Sequence, residues 1–462
     1  MSNSMIEETK NFILPEEGGD SAGRRLLEAL FDSRTFAETG RFVGRTSSPG
    51  DRSGVITGYG SVGGRLVFAF AEDRSRMKAA SDEAAGRKIC DLFETALENG
   101  APVVGIFDSD GVALRDGISS LTSIGRLASA SAAAAGRITK IALIGGVCGG
   151  IEAAVASSFD FVITLKTDKG GSDLFAVPPF SSETSIDPSA DGISCIGAKS
   201  EEEAAIAARK IISLIPGRRS EALTVSDSGD QDRSPDLSGL TGYALCEAVS
   251  DPCGCLPLFA DYSKGLAIAL AQVGGVGCFI AAGDREVSGG ALTRSAADAL
   301  CRCVRFADAF GIPLVMLTDC PGTDPTDGSP AYLRALSDLA AAVSSASCPR
   351  ITAYVGRAYG AGYLLLGSKA TGADAVFALT DAAVGALSPE TSVAFLWNEK
   401  IDGEETTREK LEAEWRKTEA SPAEAAALGE IDDIVAPDEL RPRIVSAVYM
   451  LLGKRRGRGR RL

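Results

Sequence analysis

Shifted by 211 positions, the chain lies on itself. Val62-Gly63-Gly64 falls on Val273-Gly274-Gly275, Asp73-Arg74 on Asp284-Arg285 and Cys90 on Cys301. Gly100 falls on Gly311, Pro102 on Pro313, Asp108 on Asp319, Gly145 on Gly356 and Gly149 on Gly360. The register needs no gap from residue 62 to residue 149. Any single match is ordinary. The ordered set is not, so the sequence reads as two copies of one unit. The first copy is assigned to residues 23–216 and the second to 242–452. Residues 1–22 form an N-terminal tail and 453–462 a basic tail. Between the copies, 217–241 is polar and lacks apolar periodicity, which reads as a linker. Residues 167–192 read as a long surface loop interrupting the first copy.

Each copy has the same pattern. A short strand pair opens it: "GVITGYGSVGGRLVFAFAED" and "KGLAIALAQVGGVGCFIAAGD". A helix follows, with apolar residues every three or four positions and a terminal glycine, Gly100 or Gly311. Next come a continuous apolar strand ending in Asp and Gly, an alanine-rich helix (Ser123 to Gly136, Tyr332 to Ser347) and a second buried strand. Uniformly apolar strands alternating with helices indicate a parallel sheet covered on both faces, an α/β fold.

Composition narrows the chemistry. With 462 residues, 45% hydrophobic and 24% charged, the chain can bury a sizeable core. A net charge of −15 argues against a nucleic-acid-binding body. No apolar run reaches membrane-spanning length, and the acidic N-terminus lacks a signal-peptide pattern, so a cytoplasmic protein is expected. The eleven cysteines read as reduced core residues; the pairs Cys253/Cys255 and Cys301/Cys303 lack the knuckle spacing of a zinc site, and no metal is expected. There is no histidine, which removes Ser-His-Asp, Cys-His and zinc-histidine chemistry. The final "KRRGRGRRL" reads as a solvated tail.

In each copy the second buried strand runs into a small-residue turn, "GGVCGGIEAAV" or "GRAYGAGYLLL", where a helix begins. A helix N-terminus presents unpaired N–H groups and partial positive charge, and small residues let a ligand oxygen approach. That suits an oxyanion hole. A tight strand-to-helix turn selects glycine as well, but two such turns in equivalent places suggest two oxyanion sites. Asp108 and Asp319 end strands at the same sheet edge and are read as caps of a turn or of the next helix.

At these residues the chain resembles the carboxyltransferase subunits of biotin-dependent acyl-CoA carboxylases and sodium-pumping acyl-CoA decarboxylases. The matching stretches include "GAPVVGIFDSDGVALRDGISSL", "GVCGGIEAAVASSFDFVI", "CVRFADAFGIPLVMLTDCPG", "RAYGAGY" and "SPAEAAALGEIDDIVAPDELRPRIVSAVYML", within residues 23 to 452. The resemblance implies tandem crotonase-like domains. The first copy would bind acyl-CoA and the second biotin on a carrier protein. A carboxyl group would pass between biotin N1′ and the α carbon of the thioester. An enolate oxygen and a ureido oxygen would each be held by backbone amides, with no side-chain nucleophile. Carried over, the first amide pair is Gly149 and Gly150, or Gly150 and Ile151 if Asp160 sets the register. The second pair is Ala361 and Gly362. Substrate-binding positions are implied at Gly111, Arg115, Gly322, Tyr363 and Leu364.

The resemblance also implies a homodimer or larger homo-oligomer. The chain shows neither a biotin-attachment segment (Met77-Lys78 lacks its flanks) nor a biotin-carboxylase domain. A separate biotin carrier is therefore implied, with a biotin carboxylase subunit or a membrane decarboxylase subunit as further partners. Several family site positions differ: "RMKAASDE" replaces a Gly-Gly-Ser segment, Ala113 an Arg, Thr323 an aromatic residue, Arg334-Ala335 an Arg-His pair and Leu364 an Asp, while "GALSPETSVAFLW" stands for a Met-Gly-Ala-x-Gly-Ala segment. They leave a second reading open, a catalytically degenerate paralogue partnering an active carboxyltransferase. The acyl group and the direction of reaction are not encoded in any motif.

Overall fold

The structure, a computed structural model, describes residues 20–41, 43–44, 53–75, 82–109, 117–166, 171–176, 187–219, 221–227, 230–401 and 407–454. Its contacts divide the chain into two units, residues 1–213 with 217–219, and 214–216 with 220–462.

The first unit runs α1 (Ala22–Leu30), β1 (Ala37–Thr39), β2 (Val55–Val62), β3 (Arg65–Glu72), α2 (Glu83–Asn99), β4 (Val103–Phe107), α3 (Ile118–Ala134), β5 (Lys140–Ile144), β6 (Val147–Gly149), α4 (Gly150–Ser157), β7 (Phe161–Leu165), β8 (Asp173–Phe175), β9 (Ile196–Ala198) and α5 (Glu201–Leu214). Its seven-stranded sheet has the order β1-β2-β3-β4-β5-β7-β9, and β6 pairs with β8 beside it. The second unit runs α6 (Gly242–Val249), β10 (Leu256–Leu258), β11 (Leu266–Val273), β12 (Val276–Gly283), α7 (Arg294–Phe310), β13 (Leu314–Cys320), α8 (Pro330–Ser345), β14 (Arg350–Tyr359), α9 (Ala361–Leu365), β15 (Ala375–Leu379), β16 (Ala383–Gly385), α10 (Pro389–Ser392), α11 (Arg408–Thr418), α12 (Pro422–Ala427), β17 (Asp433–Val435) and α13 (Leu440–Leu451). Its sheet has the order β10-β11-β12-β13-β14-β15-β17, with β16 beside β14.

The sheets are mixed rather than wholly parallel. In each unit the first three strands are antiparallel and the remaining neighbours in the sheet path are parallel. The cause is the Gly-Gly turn. Gly63 and Gly64 have φ of 57° and 80°, Gly274 and Gly275 of 60° and 79°, the left-handed pair that closes a two-residue hairpin. Helices α2 and α7 each end on a left-handed glycine, Gly100 or Gly311, 211 positions apart. Every residue of β4 and β13 is buried. Phe70, Phe93, Phe107 and Phe159 meet largely edge to face over the first sheet.

Each hairpin is held from outside by an Asp–Arg clamp that the repeat does not reveal. Asp32 accepts the Gly63 and Gly64 amides, at 3.1 Å each. Arg209 on α5 binds Asp32 at 2.7 Å and the carbonyl of Leu30. In the second unit Asp251 accepts the Gly274 and Gly275 amides at 3.0 and 2.6 Å. Arg441 on α13 binds Asp251 at 2.7 Å and the carbonyl of Val249. Both carbonyls are the last of the preceding helix, so one guanidinium joins a helix end, a hairpin and a C-terminal helix.

Arg441 reaches further than Arg209. It also donates to the carbonyls of Asp230 and Arg233. Leu237 is buried, and Val225 bridges to Val276. Most of the polar segment 217–241 is therefore part of the second unit, not a free linker. Its side chains are polar, but its backbone carbonyls face a buried cation, which side-chain hydropathy does not register. Lys454, assigned to the basic tail, binds Asp374 at 2.7 Å; the rest of that tail lies outside the described residues. Among the described residues no helix is long and apolar enough to cross a membrane.

Arg441 is fully buried, whereas the side chain of Arg209 is 33% exposed. Breaking a buried pair leaves an uncompensated charge, at about 3–5 kcal/mol. An exposed pair contributes about 1 kcal/mol at most. Arg441→Met is expected to lower the denaturation midpoint several times more than Arg209→Met and to open 217–241 to proteolysis. Equal losses in chemical denaturation would contradict the clamp hierarchy.

Candidate active site

The carboxyl edge of each sheet is organised by the Asp expected to be a cap. Among the described residues it caps no helix: α8 starts on Ser329, and Gly117 at the start of α3 gives no side-chain cap. Instead Asp108 accepts the Val147 amide and Arg74, both at 3.2 Å. Asp319 accepts the Arg357 amide at 3.0 Å, Arg357 Nε at 2.8 Å and Arg285 Nε at 3.1 Å. The carboxylate thus pins the end of the neighbouring strand, where the small-residue turn begins. It leaves no room for a side chain there. A Cβ on Gly146 would strike the Asp108 carboxylate, and one on Gly356 would lie 2.6 Å from Asp319 Cγ.

From the pinned strand the chain enters the turn. Gly149 is the last residue of β6, extended at φ −128°, and Gly150 pivots at φ +62° into α4. Tyr359 ends β14, and Gly360 pivots at φ +49° into α9. Gly149 pairs with Phe175 as Tyr359 pairs with Gly385. Here the copies correspond at 210, not 211. Lys140 and Arg350, each paired with the start of the preceding strand, show the same offset. The residues standing where Ala361 and Gly362 stand are therefore Ile151 and Glu152. The alternative register set by Asp160 reaches Ile151; Glu152 escaped sequence reading because the ungapped shift hides the slip. No side chain caps either helix start, so the first-turn amides have no partner within their own helix.

Behind the turns the copies differ. In the first, Glu72 at the end of β3 and Glu152 in α4 are both buried. Glu72 accepts the Asp108 amide at 2.8 Å. Burial first, then Glu152, holds the Glu72 carboxyl well above the usual carboxylate range. Burial and the same two carboxyls push the Cys148 thiol up. In the second copy the corresponding positions are Gly283 and Gly362. A Cβ on Gly283 would lie 2.7 Å from the Asp319 amide nitrogen, and one on Gly362 2.8 Å from the Cys320 carbonyl oxygen. Direct backbone packing there replaces the acid pair.

Of the other expected site residues, Gly111 and Arg115 lie outside the described residues. Gly322 has φ +128° and its carbonyl accepts the Leu292 amide at 2.9 Å. Tyr363 donates its hydroxyl to Glu430 at 2.9 Å, and its ring lies 5.8 Å from that of buried Tyr354. Leu364 is exposed. The Tyr359 hydroxyl, buried just before the second turn, has no hydrogen-bond partner among the described residues. Eight of the eleven cysteines are buried; Cys253 is exposed, and its thiol faces Gln272.

The chain matches the Carboxyl transferase domain family over residues 16–175 and 186–462. It is 28% identical to the propionyl-CoA carboxylase carboxyltransferase subunit of Haloferax mediterranei, covering 95% of this chain and 92% of that one. It is also 28% identical to the methylmalonyl-CoA decarboxylase alpha subunit of Veillonella parvula, again over 95% and 92%. The structure superposes on hexameric transcarboxylase 12S, solved with hydrolysed methylmalonyl-CoA bound, with a TM-score of 0.88, 27% identity and 99% and 96% coverage. The chain belongs to the carboxyl transferase family, as an enzyme of two crotonase-like domains.

Proposed function

We propose that the first copy, residues 23–216, binds a short acyl-CoA and the second, 242–452, binds biotin presented by a separate carrier protein. The observation that carries this is the pair of uncapped helix starts, one per copy, on a chain of this family. Biotin supplies or accepts the carboxyl group at N1′. The Gly149–Gly150 turn delivers the first amides of α4, through Ile151 and Glu152, to the thioester oxygen as the α carbon gains enolate character. The amides of Ala361 and Gly362 take the ureido oxygen. Donors fixed before reaction act without reorganising. The second turn fits such a ligand: no side chain caps it, and the Tyr359 hydroxyl is an orphaned buried donor beside it. Tyr363, tied to Glu430, supports the turn, and exposed Leu364 faces acyl choice. Gly111, Arg115 and Gly322 complete the substrate surfaces.

The carrier is the required partner. A homodimer or larger homo-oligomer, joined by a biotin carboxylase or a membrane decarboxylase subunit, is the working assembly, and the cytoplasm is its place. Methylmalonyl-CoA and propionyl-CoA, named in its relatives, are the first substrates to try.

Co-purification with a biotinylated protein, followed by carboxyl transfer on these two thioesters, tests the reading. Gly362→Ala keeps the amide, but its Cβ would lie 2.8 Å from the Cys320 carbonyl oxygen and push that amide out of place; kcat is expected to fall by up to about 10²–10³-fold, the effect of a lost oxyanion donor. Absence of both a biotinylated partner and acyl-CoA binding would establish the degenerate paralogue instead.

Leu364→Asp is expected to lower the preference for longer over shorter acyl chains roughly tenfold in kcat/KM, since one methylene in an apolar pocket is worth about 1–3 kcal/mol. An unchanged ratio would remove Leu364 from the acyl site.

A further inference from the structure

We infer that Arg285 and Arg357 recognise the carboxylate carried on biotin N1′, and so distinguish carboxylated from bare biotin. The inference rests on the proposed biotin role of the second copy and names the side chains that would face the carboxyl group in transit.

It starts from a mismatch of charge. Asp319 is buried in β13, and two guanidiniums converge on it, Arg357 Nε at 2.8 Å on one oxygen and Arg285 Nε at 3.1 Å on the other. One carboxylate cannot neutralise two cations. The neighbouring acid, Asp284, accepts the Glu286 amide at 3.1 Å. Arg357 gives Nη2 to the Gly289 carbonyl at 2.8 Å. Among the described residues, its Nη1 and both Nη groups of Arg285 have no hydrogen-bond partner. The side chains of Arg285 and Arg357 are 46% and 33% exposed, so these N–H groups are open to a ligand. A guanidinium held at Nε keeps its remaining donors in a fixed plane, the fork that matches a carboxylate.

The cluster stands at the second turn. Arg357 lies in the last three residues of β14, just before Gly360. Asp319 is followed by Cys320, and a Cβ on Gly362 would lie 2.8 Å from the Cys320 carbonyl oxygen. The two cations and the amides of Ala361 and Gly362 therefore share the same strand ends. Residues 288–290 pack against the cluster with φ of 51°, 61° and 78°, and a Cβ on Gly290 would lie 3.2 Å from Arg357 Nη2. The first copy lacks this arrangement. Arg74 stands for Arg285 and binds Asp108, but Val147 stands for Arg357, and two buried acids, Glu72 and Glu152, lie behind the turn. Surplus positive charge belongs to the half assigned to biotin. The ureido ring of bare biotin is neutral, whereas its carboxylated form is an anion at N1′. Outward N–H groups on a surplus cation separate those two states.

The test measures Kd by calorimetry for biocytin (biotinyl-lysine) and for N1′-carboxymethylbiocytin, a stable carboxylate on the same nitrogen. Wild type, Arg285→Gln and Arg285→Lys are compared, with the Kd for CoA and the thermal midpoint as controls. Wild type is expected to prefer the carboxylate about ten- to a hundredfold, the scale of a hydrogen bond to a charged group. Arg285→Gln should remove most of that preference without changing the Kd for biocytin. Its midpoint should hold, because Asp319 keeps the side chain and amide of Arg357. Arg285→Lys retains the charge but not the fork and should recover part of the preference. An equal preference in wild type and Arg285→Gln would overturn the inference even with biocytin bound normally. A weakened Kd for CoA in Arg285→Gln, at unchanged preference, would overturn it in favour of a CoA phosphate. Wild type binding neither form of biocytin would instead remove the biotin role of the second copy, and this inference with it.

Discussion

The small-residue turns depend on one interaction, a carboxylate at the end of a buried strand that accepts the amide of the next strand's end. Asp108 and Asp319 make it in their respective units. A buried carboxylate needs donors on several sides. Val147 with Arg74, and Arg357 with Arg285, supply them. Satisfying that charge places the carboxylate where a side chain of the neighbouring strand would lie, so Gly146 and Gly356 are glycine. The strand is then led past the sheet edge and a helix begins without a cap. Site geometry is here a consequence of neutralising one buried charge.

The copies have solved the packing behind that carboxylate in two ways. The second brings backbone onto backbone, with Gly283 and Gly362 against residues 319 and 320. The first admits two buried side chains, Glu72 and Glu152. Arg357 shows divergence in the opposite direction: its guanidinium adds a cation and a bond to the Gly289 carbonyl at 2.8 Å where the first copy has Val147.

Much of this was legible in the sequence because duplication prints itself at fixed spacing. Gly63-Gly64 and Gly274-Gly275 announced the hairpins, Gly100 and Gly311 the helix ends, and the apolar runs the central strands. What failed to show did so for physical reasons. The clamps of Asp32 with Arg209 and Asp251 with Arg441 do not keep the 211 spacing, because loops between anchored elements tolerate different lengths. Asp108 looked like a cap because a cap and a strand-end acceptor have the same local sequence; only the partner distinguishes them. The slip that sets Ile151 and Glu152 opposite Ala361 and Gly362 is invisible to a match carried by Gly149 and Gly360, since small residues on both sides of a turn accept either register. Glu152 is buried, and nothing in its local sequence marks it so.

A chain without histidine has few groups that change charge near neutral pH. Amide donors do not titrate, so the proposed oxyanion donors Ile151, Glu152, Ala361 and Gly362 would be indifferent to pH in themselves. Any pH response of the protein must then come from groups whose surroundings displace them from their ordinary range. Buried cysteines and tyrosines are displaced upward, away from neutrality, by desolvation. Two buried carboxyls move toward it. Asp160, which accepts the Lys140 amide at 2.8 Å, is raised by burial to about 6, and Glu72 is raised by burial and by Glu152. Both lie in the first unit. Asp160 meets an opposing cation in Lys140 and has an amide to accept, so its ionised form is compensated when it appears. Glu72 faces a second carboxyl instead, that of Glu152, so its charged form is opposed where that of Asp160 is compensated.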